Sequence, residues 1–192
     1  MNTRALILAA GEARRFGSPK QLVEVASPDG QKLPLLLIAL QNARRARLAP
    51  VVILGAHRDR VEAILPADVD RVFNDRWSTG MSSSIRCGVA FVTKDSTPAI
   101  DAVLITSCDQ PEITADDLQR LKMGCTANSA AASAYDDILG IPACFPARFF
   151  ADLLALHGDR GARRLLRSGR IPVHPVSMPT AALDIDTPQD LS

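Results

Sequence analysis

The sequence predicts an α/β fold, a three-layer α/β/α arrangement in which helices cover both faces of a mainly parallel, mixed sheet. Two observations support this prediction. Short apolar runs of strand length lie near residues 5, 51, 71 and 102, and the segments between them have the spacing of amphipathic helices. Strands that alternate with helices along a chain form βαβ units, in which the strands lie parallel.

The N-terminal half of the chain contains the predicted parallel strands and their crossover helices. The expected strands are Ala5–Ala10, Pro50–Leu54, Arg71–Phe73 and Asp101–Cys108. The expected helices are Pro34–Arg47, His57–Leu65 and Ser82–Val92. Between the first strand and the first helix, the polar segment Ser27–Lys32 indicates a hairpin-like excursion.

The C-terminal half predicts further strands and shorter helices. A helix is expected from Thr114, where Thr114 and Asp117 have the spacing of a capping box. Ala130–Tyr135 and Ile141–Phe145 form an expected strand pair. The remaining elements are two helices and an edge strand: Ala147–Leu156, Arg160–Arg167 and Val173–Val176.

Length and charge exclude several classes of protein. The chain has 192 residues, which suits one domain over residues 1–192 with one sizeable core. The net charge is +1, so there is no bulk attraction for polyanions and we expect no nucleic acid partner. A charged ligand must therefore be recognised by a local cluster of side chains.

The cysteines and the apolar runs bear on the compartment. Cys87, Cys108, Cys125 and Cys144 are widely spaced, which favours reduced thiols over a zinc site or a disulfide framework. No apolar run approaches the roughly 20 residues needed to span a bilayer, so we expect no membrane partner. These features predict a cytoplasmic protein.

The segment LILAAGEARRFGSPKQL, Leu6–Leu22, combines glycines with positive charge directly after the first strand. It matches neither the P-loop pattern, which needs Gly-Lys-Ser/Thr, nor the Gly-x-Gly-x-x-Gly dinucleotide pattern. Two interpretations stay open. Gly11 and Gly17 let backbone N–H groups approach phosphates while Arg15 and Lys20 supply charge, or the segment is a glycine-rich surface turn with solvated arginines.

Five motifs in order resemble the MobA-like NTP transferases. The first is Leu-Ala-Ala-Gly-x-x-x-Arg-x-Gly followed by Lys, at residues 8–20. The others are NDRWSTGMSSSIRCGV, CDQPEIT, GDRGARRLL and LDIDTPQDL, starting at Asn74, Cys108, Gly158 and Leu183. Each motif alone is weak, but the ordered set covers residues 6–191 and is specific. Within the family, the chain is most similar to the molybdenum cofactor cytidylyltransferases.

The resemblance implies a Rossmann-like fold of the nucleotide-diphospho-sugar transferase type and an Mg²⁺-dependent nucleotidyl transfer. An NTP, with CTP as first choice, donates its nucleotidyl group to an anionic acceptor and pyrophosphate is released. The first-choice acceptor is the molybdopterin cofactor, and the product would pass to a recipient molybdoenzyme.

The resemblance also assigns site residues. Arg15, Lys20 and Asp109 match the catalytic residues, with Arg15 and Lys20 on the triphosphate. Asp109 binds the metal together with a second carboxylate, for which we favour Asp186 over Asp184. The expected nucleotide-binding residues are Leu8, Ala9, Ala10, Gly11, Gly17, Lys20, Ser82, Ser83 and Asp109.

Departures from the family pattern leave the acceptor open. Gly140-Ile141-Pro142 stands where these cytidylyltransferases carry Gly-His-Pro, and the Pro19-Lys20-Gln21 form is shared with isoprenoid-pathway cytidylyltransferases. A sugar phosphate or polyol phosphate is thus an alternative acceptor. Another alternative is a non-catalytic nucleotide- or cofactor-binding protein that delivers a cofactor. Asp159 or Arg160 is expected near the acceptor, and Arg163, Arg164 and Arg167 are expected on a solvated helix face.

Overall fold

The computed structural model describes residues 1–13, 15–27, 30–94 and 96–191. Within these ranges the strands are β1 (Thr3–Ala9), β2 (Glu24–Ala26), β3 (Lys32–Pro34), β4 (Ala49–Leu54), β5 (Asp70–Phe73), β6 (Ala102–Ser107), β7 (Ala130–Tyr135), β8 (Ile138–Pro146) and β9 (Val173–Ser177). The α-helices are α1 (Leu35–Arg45), α2 (Arg58–Glu62), α3 (Met81–Thr93), α4 (Ala115–Gly124), α5 (Phe150–Leu154) and α6 (Arg163–Leu166).

Seven strands form the main sheet in the order β5-β4-β1-β6-β8-β7-β9. β1 pairs in parallel with β4 and β6, β4 with β5, and β7 with β9, whereas β8 is antiparallel to both of its neighbours. The prediction of a mainly parallel, mixed sheet is therefore confirmed. β2 and β3 pair with each other outside this sheet and flank the expected excursion at Ser27–Lys32, of which Pro28 and Asp29 lie outside the described residues.

The central strands are apolar on both faces because each face meets its own core. Along β1, Ala5 and Ile7 point into one core while Leu6 and Leu8 point into the other, as the two-residue period of a strand requires. The first core contains Leu36 of α1 and residues of α4. The second core is formed with α3, α5 and α6, through Ile85, Val89, Leu153, Leu165 and Leu166. The sheet is thus the middle layer of three.

The strand order places a crevice at the carboxyl ends of β1 and β6. The chain leaves β1 through α1 to reach β4 on one side, and later enters β6 on the other side of β1. At such a switch point the two connecting loops diverge, and open α/β sheets bind ligands there. Leu8 near the end of β1 is in register with Ser107 at the end of β6. The loop after β1 and the segment that begins with Cys108 must therefore meet.

Three helices are much shorter than the sequence predicts. The helix expected from His57 begins at Arg58, because His57 has a left-handed backbone with φ of 61°. The helix expected over Arg160–Arg167 is reduced to α6, since Gly161 has φ of 52° and interrupts its first turn. The helix expected over Ala147–Leu156 begins as a 3₁₀ turn, Ala147–Phe149, before α5. Among the described residues, no helix has the length and apolar character of a bilayer-spanning segment.

Candidate functional site

Two cavities lie side by side at the carboxyl ends of β1 and β6. The β1-loop cavity, of about 620 Å³, extends along the loop after β1 to the start of α3. The α6 cavity, of about 780 Å³, lies between the end of β6, the β7–β8 strands and α6. The residues that line both cavities are Met81, Ser107, Asp109, Asp159 and Asp184. The cavities therefore share a junction, and Asp109 lies in it.

The loop after β1 is held in place by a buried glutamine. Gln21 is 1% exposed, and its Nε2 donates hydrogen bonds to the backbone oxygens of Ala9 at 2.9 Å and Gly11 at 2.8 Å. The backbone oxygen of Ala10 accepts a further hydrogen bond, from the N–H of Ala56 at 3.1 Å. These contacts fix the course of the main chain along the β1-loop cavity, where Leu8, Ala9, Ala10 and Gly11 were expected to meet a nucleotide.

Lys20 lies between two carboxylates. Its Nζ is 2.5 Å from Oδ2 of Asp109 and 3.0 Å from Oδ1 of Asp186. The second oxygen of Asp186 accepts a hydrogen bond from Nη2 of Arg15 at 2.8 Å. Lys20 and Asp109 are largely buried, whereas Arg15 is 72% exposed. The structure thus joins residues 15, 20, 109 and 186, which are far apart in sequence, into one charged cluster.

The C-terminal segment is tied to this cluster through its backbone. The N–H of Ile185 donates to the backbone oxygen of Asp109 at 2.9 Å. The Oδ2 atom of Asp190 accepts hydrogen bonds from the N–H groups of Asp186 at 2.9 Å and Thr187 at 2.7 Å. These bonds orient the segment so that Asp184 and Asp186 both line the β1-loop cavity.

The surroundings shift the pKa values of the charged groups in opposite directions. Burial opposes the charge of Lys20, but the adjoining Asp109 and Asp186 carboxylates outweigh it and raise the pKa of Lys20. Burial likewise opposes ionisation of Asp186, yet hydrogen bonds and charge from Lys20 and Arg15 lower the pKa of that carboxyl overall. Asp184 forms no such ion pair within the described residues. Partial burial and the nearby Asp109 raise the pKa of Asp184 to about 6.

The donor set fits a divalent cation bound together with a phosphate ligand. Within the described residues, no group of three or more His, Cys, Asp or Glu side chains is arranged to hold a metal ion alone. Mg²⁺ accepts one or two carboxylates and takes its other ligands from phosphate oxygens and water. Asp109 and Asp186 lie within hydrogen-bonding distance of the same ammonium group, so they are close enough to share one cation.

Cys108 lines the β1-loop cavity but is unsuited to nucleophilic chemistry. It is 3% exposed, and burial, reinforced by the negative charge of Asp109, raises the pKa of its thiol to about 12. A thiol acts as a nucleophile through its thiolate, which is scarcely populated here near neutral pH. The chemistry of the site must therefore come from the charged cluster.

Three of the expected nucleotide-binding residues do not line either cavity. Ser82 and Ser83 are buried, 1% and 4% exposed, and the Oγ of Ser83 donates to the backbone oxygens of Arg76 and Gly80. Gly17 is exposed and closes a turn by donating its N–H to the backbone oxygen of Ala13 at 3.2 Å. Their contact with a nucleotide stays a prediction.

The β1-loop cavity is also lined by residues that the sequence did not single out. They include Gln21, Trp77, Ser78 and Ser84. Ser84 accepts a hydrogen bond from Nδ2 of the buried Asn74 at 3.0 Å. The sequence signal for this part of the site was the serine run. Which serine faces the cavity depends on how α3 is rotated about its axis, and packing on the sheet determines that rotation.

Comparison with known proteins identifies the family. The sequence model of the MobA-like NTP transferase domain matches residues 5–174. The chain belongs to this family. In this MobA-like protein, the match includes the charged loop and Asp109, while Asp184 and Asp186 follow it in the C-terminal segment.

Similar proteins support the same assignment. Purine catabolism protein PucB of Bacillus subtilis (strain 168) is 29% identical over 197 residues, covering 96% of this chain and 92% of PucB. The crystal structure of Rv0371c from Mycobacterium tuberculosis H37Rv has a TM-score of 0.81 at 30% identity, covering 99% and 95% of the two chains. A complex of Rv0371c with manganese has a TM-score of 0.77 at 29% identity, covering 99% and 96%. The predicted Rossmann-like transferase fold is confirmed.

Proposed function

We propose that this MobA-like protein is an Mg²⁺-dependent nucleotidyltransferase. It transfers CMP from CTP to a phosphorylated acceptor, for which molybdopterin is the first choice, and releases pyrophosphate. The observation that supports this proposal is the junction of two cavities at Asp109, at the carboxyl end of the central strands. A transferase needs two adjacent binding sites, one for each substrate, with the reacting atoms between them.

The β1-loop cavity is the proposed nucleotide site. The backbone of Leu8–Gly11 contacts the base and ribose, while Arg15 and Lys20 bind the triphosphate. In the structure, Lys20 is paired with Asp109 and Asp186, and Arg15 is paired with Asp186. An incoming triphosphate offers these cations new anionic partners, which frees oxygens of the two carboxylates.

The reaction brings two anions together. An oxygen of the acceptor phosphate attacks the α-phosphorus of CTP, the bond from that phosphorus to the bridging oxygen breaks, and pyrophosphate leaves with the electron pair. The attacking oxygen is already ionised near neutral pH, so no general base is required. Lys20 and Arg15 stabilise the charge that develops on the phosphate oxygens, and their role is positioning and electrostatic. A Mg²⁺ ion held by Asp109 and Asp186 would supply further charge neutralisation.

A divalent metal is consistent with the family and with the manganese complex of Rv0371c. The choice of CTP rests on the Leu-Ala-Ala-Gly form of the first motif, because the guanylyl-transferring branch more often has Leu-Ala-Gly-Gly. The choice of molybdopterin rests on the resemblance to the molybdenum cofactor branch. A recipient molybdoenzyme and a cytoplasmic location belong to the same proposal.

A second acceptor class follows from the sequence departures at Ile141 and at Pro19-Lys20-Gln21. Ile141 lines the α6 cavity, where the molybdopterin-type enzymes of the family would place a histidine. This exchange replaces a polar side chain with an apolar one beside the acceptor, and it leaves a sugar phosphate or polyol phosphate open as the alternative acceptor.

The proposal is tested by incubating the full chain with Mg²⁺, each of the four NTPs and each acceptor, and measuring pyrophosphate release. We expect turnover with CTP and molybdopterin. Turnover with a sugar or polyol phosphate instead would establish the alternative acceptor. Tight binding of a nucleotide without turnover on any acceptor would support a non-catalytic cofactor-delivery protein and overturn the proposal.

A further inference from the structure

One wall of the α6 cavity is made of arginines. Four of its lining residues are Arg160, Arg163, Arg164 and Arg167, and all four are exposed. We call these four residues the arginine wall. Arg163 and Arg164 lie on α6 and Arg167 directly follows it, whereas Arg160 lies in the turn before α6. The opposite side of this segment is apolar and buried through Ala162, Leu165 and Leu166, which are 1%, 5% and 3% exposed.

The apolar side fixes which way the arginine wall faces. Ala162, Leu165 and Leu166 belong to the core that α3 and α5 share on the same face of the sheet. Burying these side chains holds α6 in one rotation about its axis, because turning it would expose them to water. The arginines face the cavity for the same reason.

Three carboxylates, Asp109, Asp159 and Asp184, line the same cavity as the wall, but in the described residues they are not paired with its arginines. Across the described ranges of the chain, none of the four arginines forms an ion pair, whereas Arg15 and Arg170 each pair with an aspartate. Arg163 donates a hydrogen bond from Nη2 to the hydroxyl of Tyr135 at 3.2 Å. Tyr135 lines the same cavity. Guanidinium groups that share one cavity and are not paired with its carboxylates can bind an anion, because arginine matches the geometry of phosphate oxygens.

The wall begins near the junction and extends away from it. A Cβ atom placed on Gly161 would lie 2.6 Å from Sδ of Met81, so this end of the wall touches a residue that lines both cavities. The wall therefore starts close to the junction in which Asp109 lies.

We infer that the arginine wall binds the phosphate monoester of the acceptor and orients it toward Asp109. This inference rests on the proposed function, and it adds the residues that bind the phosphate of the phosphorylated acceptor. Guanidinium groups on the wall neutralise the negative charge of the acceptor as it approaches the triphosphate. The wall thus selects the acceptor, while Arg15 and Lys20 bind the nucleotide.

The test is a calorimetric titration of the full chain with phenyl phosphate, a phosphate monoester without a nucleotide. The wall variant is Arg160→Gln/Arg164→Gln/Arg167→Gln. The matched control, Arg60→Gln/Arg148→Gln/Arg170→Gln, has the same change in net charge at exposed arginines that line neither cavity. We expect the wall variant to bind phenyl phosphate about tenfold more weakly or worse, because each charge-assisted hydrogen bond contributes roughly one order of magnitude. The control should stay within about twofold of the wild type, since none of its arginines is in the cavity.

Binding of Mg²⁺–CTP to the same proteins separates this inference from the proposed function. The wall variant should bind Mg²⁺–CTP like the wild type. Phenyl phosphate affinity that is unchanged in the wall variant, equally reduced in the control, or immeasurable in the wild type would overturn the inference. If the wall variant loses phenyl phosphate binding but the wild type binds no NTP, the anion site is upheld and the nucleotidyltransferase proposal is overturned.

Discussion

Lys20 is the residue on which the nucleotide site depends most. It is largely buried between Asp109 and Asp186, and it is the cation that these carboxylates share. Its pKa is raised, so it keeps its charge at every pH at which the protein is expected to work. Removing it deprives the triphosphate of a partner and leaves two carboxylates facing each other.

Replacing Lys20 with methionine should therefore weaken Mg²⁺–CTP binding. We expect a rise in Kd of roughly 10- to 100-fold, the usual contribution of a hydrogen bond to a charged group. Lys122→Met is the control, because Lys122 contacts the backbone oxygen of Arg47, away from both cavities. Calorimetric titration gives both values. A Lys20→Met protein that binds the nucleotide as tightly as the control would contradict the assignment of Lys20.

Asp184 and Asp186 are separated by one residue, but their charges should affect stability in opposite ways. The pKa of Asp184 is raised to about 6 in the folded protein, above the ordinary value of 3.8, so its ionised form destabilises the fold. The penalty is absent at pH values below 3.8, the pKa of Asp184 in the unfolded chain. It is complete at pH values above about 6, the pKa of Asp184 in the folded protein. The pKa of Asp186 is lowered, so its ionised form stabilises the fold above the unfolded value.

In metal-free buffer at pH 8, Asp184→Asn should raise the melting temperature by a few degrees, and Asp186→Asn should lower it. The gain from Asp184→Asn should disappear between about pH 6 and pH 4, whereas the loss from Asp186→Asn should persist over that range. Melting curves of both variants and the wild type at pH 8, 6 and 4 measure this. A destabilised Asp184→Asn protein at pH 8 would show that its carboxylate is instead stabilised by its surroundings.

Among the helices, α4 has the most complete N-terminal cap. The hydroxyl of Thr114 accepts a hydrogen bond from the N–H of Asp117 at 3.2 Å. In return, a carboxylate oxygen of Asp117 accepts a hydrogen bond from the N–H of Thr114 at 2.9 Å. Thr114→Ala should cost about 1 kcal/mol of unfolding free energy, or roughly 2–4 °C in melting temperature. Thr114→Ser keeps the hydroxyl and should melt close to the wild type. Equal stability of all three proteins would mean that the cap does not contribute.

The entry into α3 depends on Gly80. Its backbone has φ of 103° and ψ of 169°, a conformation essentially restricted to glycine, and an added Cβ would lie 2.8 Å from the backbone oxygen of Gly158. The neighbouring Asp159 lines both cavities. An alanine at position 80 therefore has to displace the loop that carries Asp159.

Gly80→Ala should lower the unfolding free energy by about 3 kcal/mol and also reduce transferase activity. Gly169→Ala is the matched control: Gly169 also has a positive φ, of 68°, but an added Cβ would meet open space. It should cost only about 1 kcal/mol and leave activity unchanged. Urea unfolding and pyrophosphate release measure the two effects. Similar losses in both variants would show that backbone conformation alone matters and that crowding against Gly158 does not.

At the level of elements, the sequence predicts which segments form strands and helices but not how each helix is rotated. The apolar run Val103–Ile105 and the capping box at Thr114 are local signals, and both were confirmed. Ser82 and Ser83 were expected at the nucleotide, but α3 turns them toward the protein interior and Ser84 toward the cavity. That rotation is set by packing of Ile85 and Val89 on the sheet, which no local signal reports.

The surroundings of the arginine wall could not be predicted from the sequence either. Arg163, Arg164 and Arg167 were expected on a solvated helix face, because charged residues opposite buried leucines usually face water. They are exposed, but the water-filled space in front of them is the α6 cavity. Only the position of β7 and β8, which enclose that space, distinguishes a cavity wall from an outer surface.

For the whole molecule, the strand order explains why residues 15, 20, 109 and 186 meet. β1 and β6 are neighbours in the sheet although about 100 residues separate them in sequence, a distance over which local propensity carries no information. The ordered family motifs predicted several residues that line the crevice, among them Arg15, Lys20 and Asp109, but Gly17, Ser82 and Ser83 line neither cavity. The acceptor is not specified by these motifs, because it depends on the shape and charge of the second cavity.

The most direct test of the whole account concerns Asp109, the carboxylate at the junction of the two cavities. Pyrophosphate release from CTP with Mg²⁺ and molybdopterin should be compared among the wild type, Asp109→Asn, and the control Asp116→Asn, an exposed position that lines neither cavity. We predict that Asp109→Asn loses roughly 100-fold or more of the activity while Asp116→Asn stays like the wild type. An Asp109→Asn protein with full activity would contradict the account.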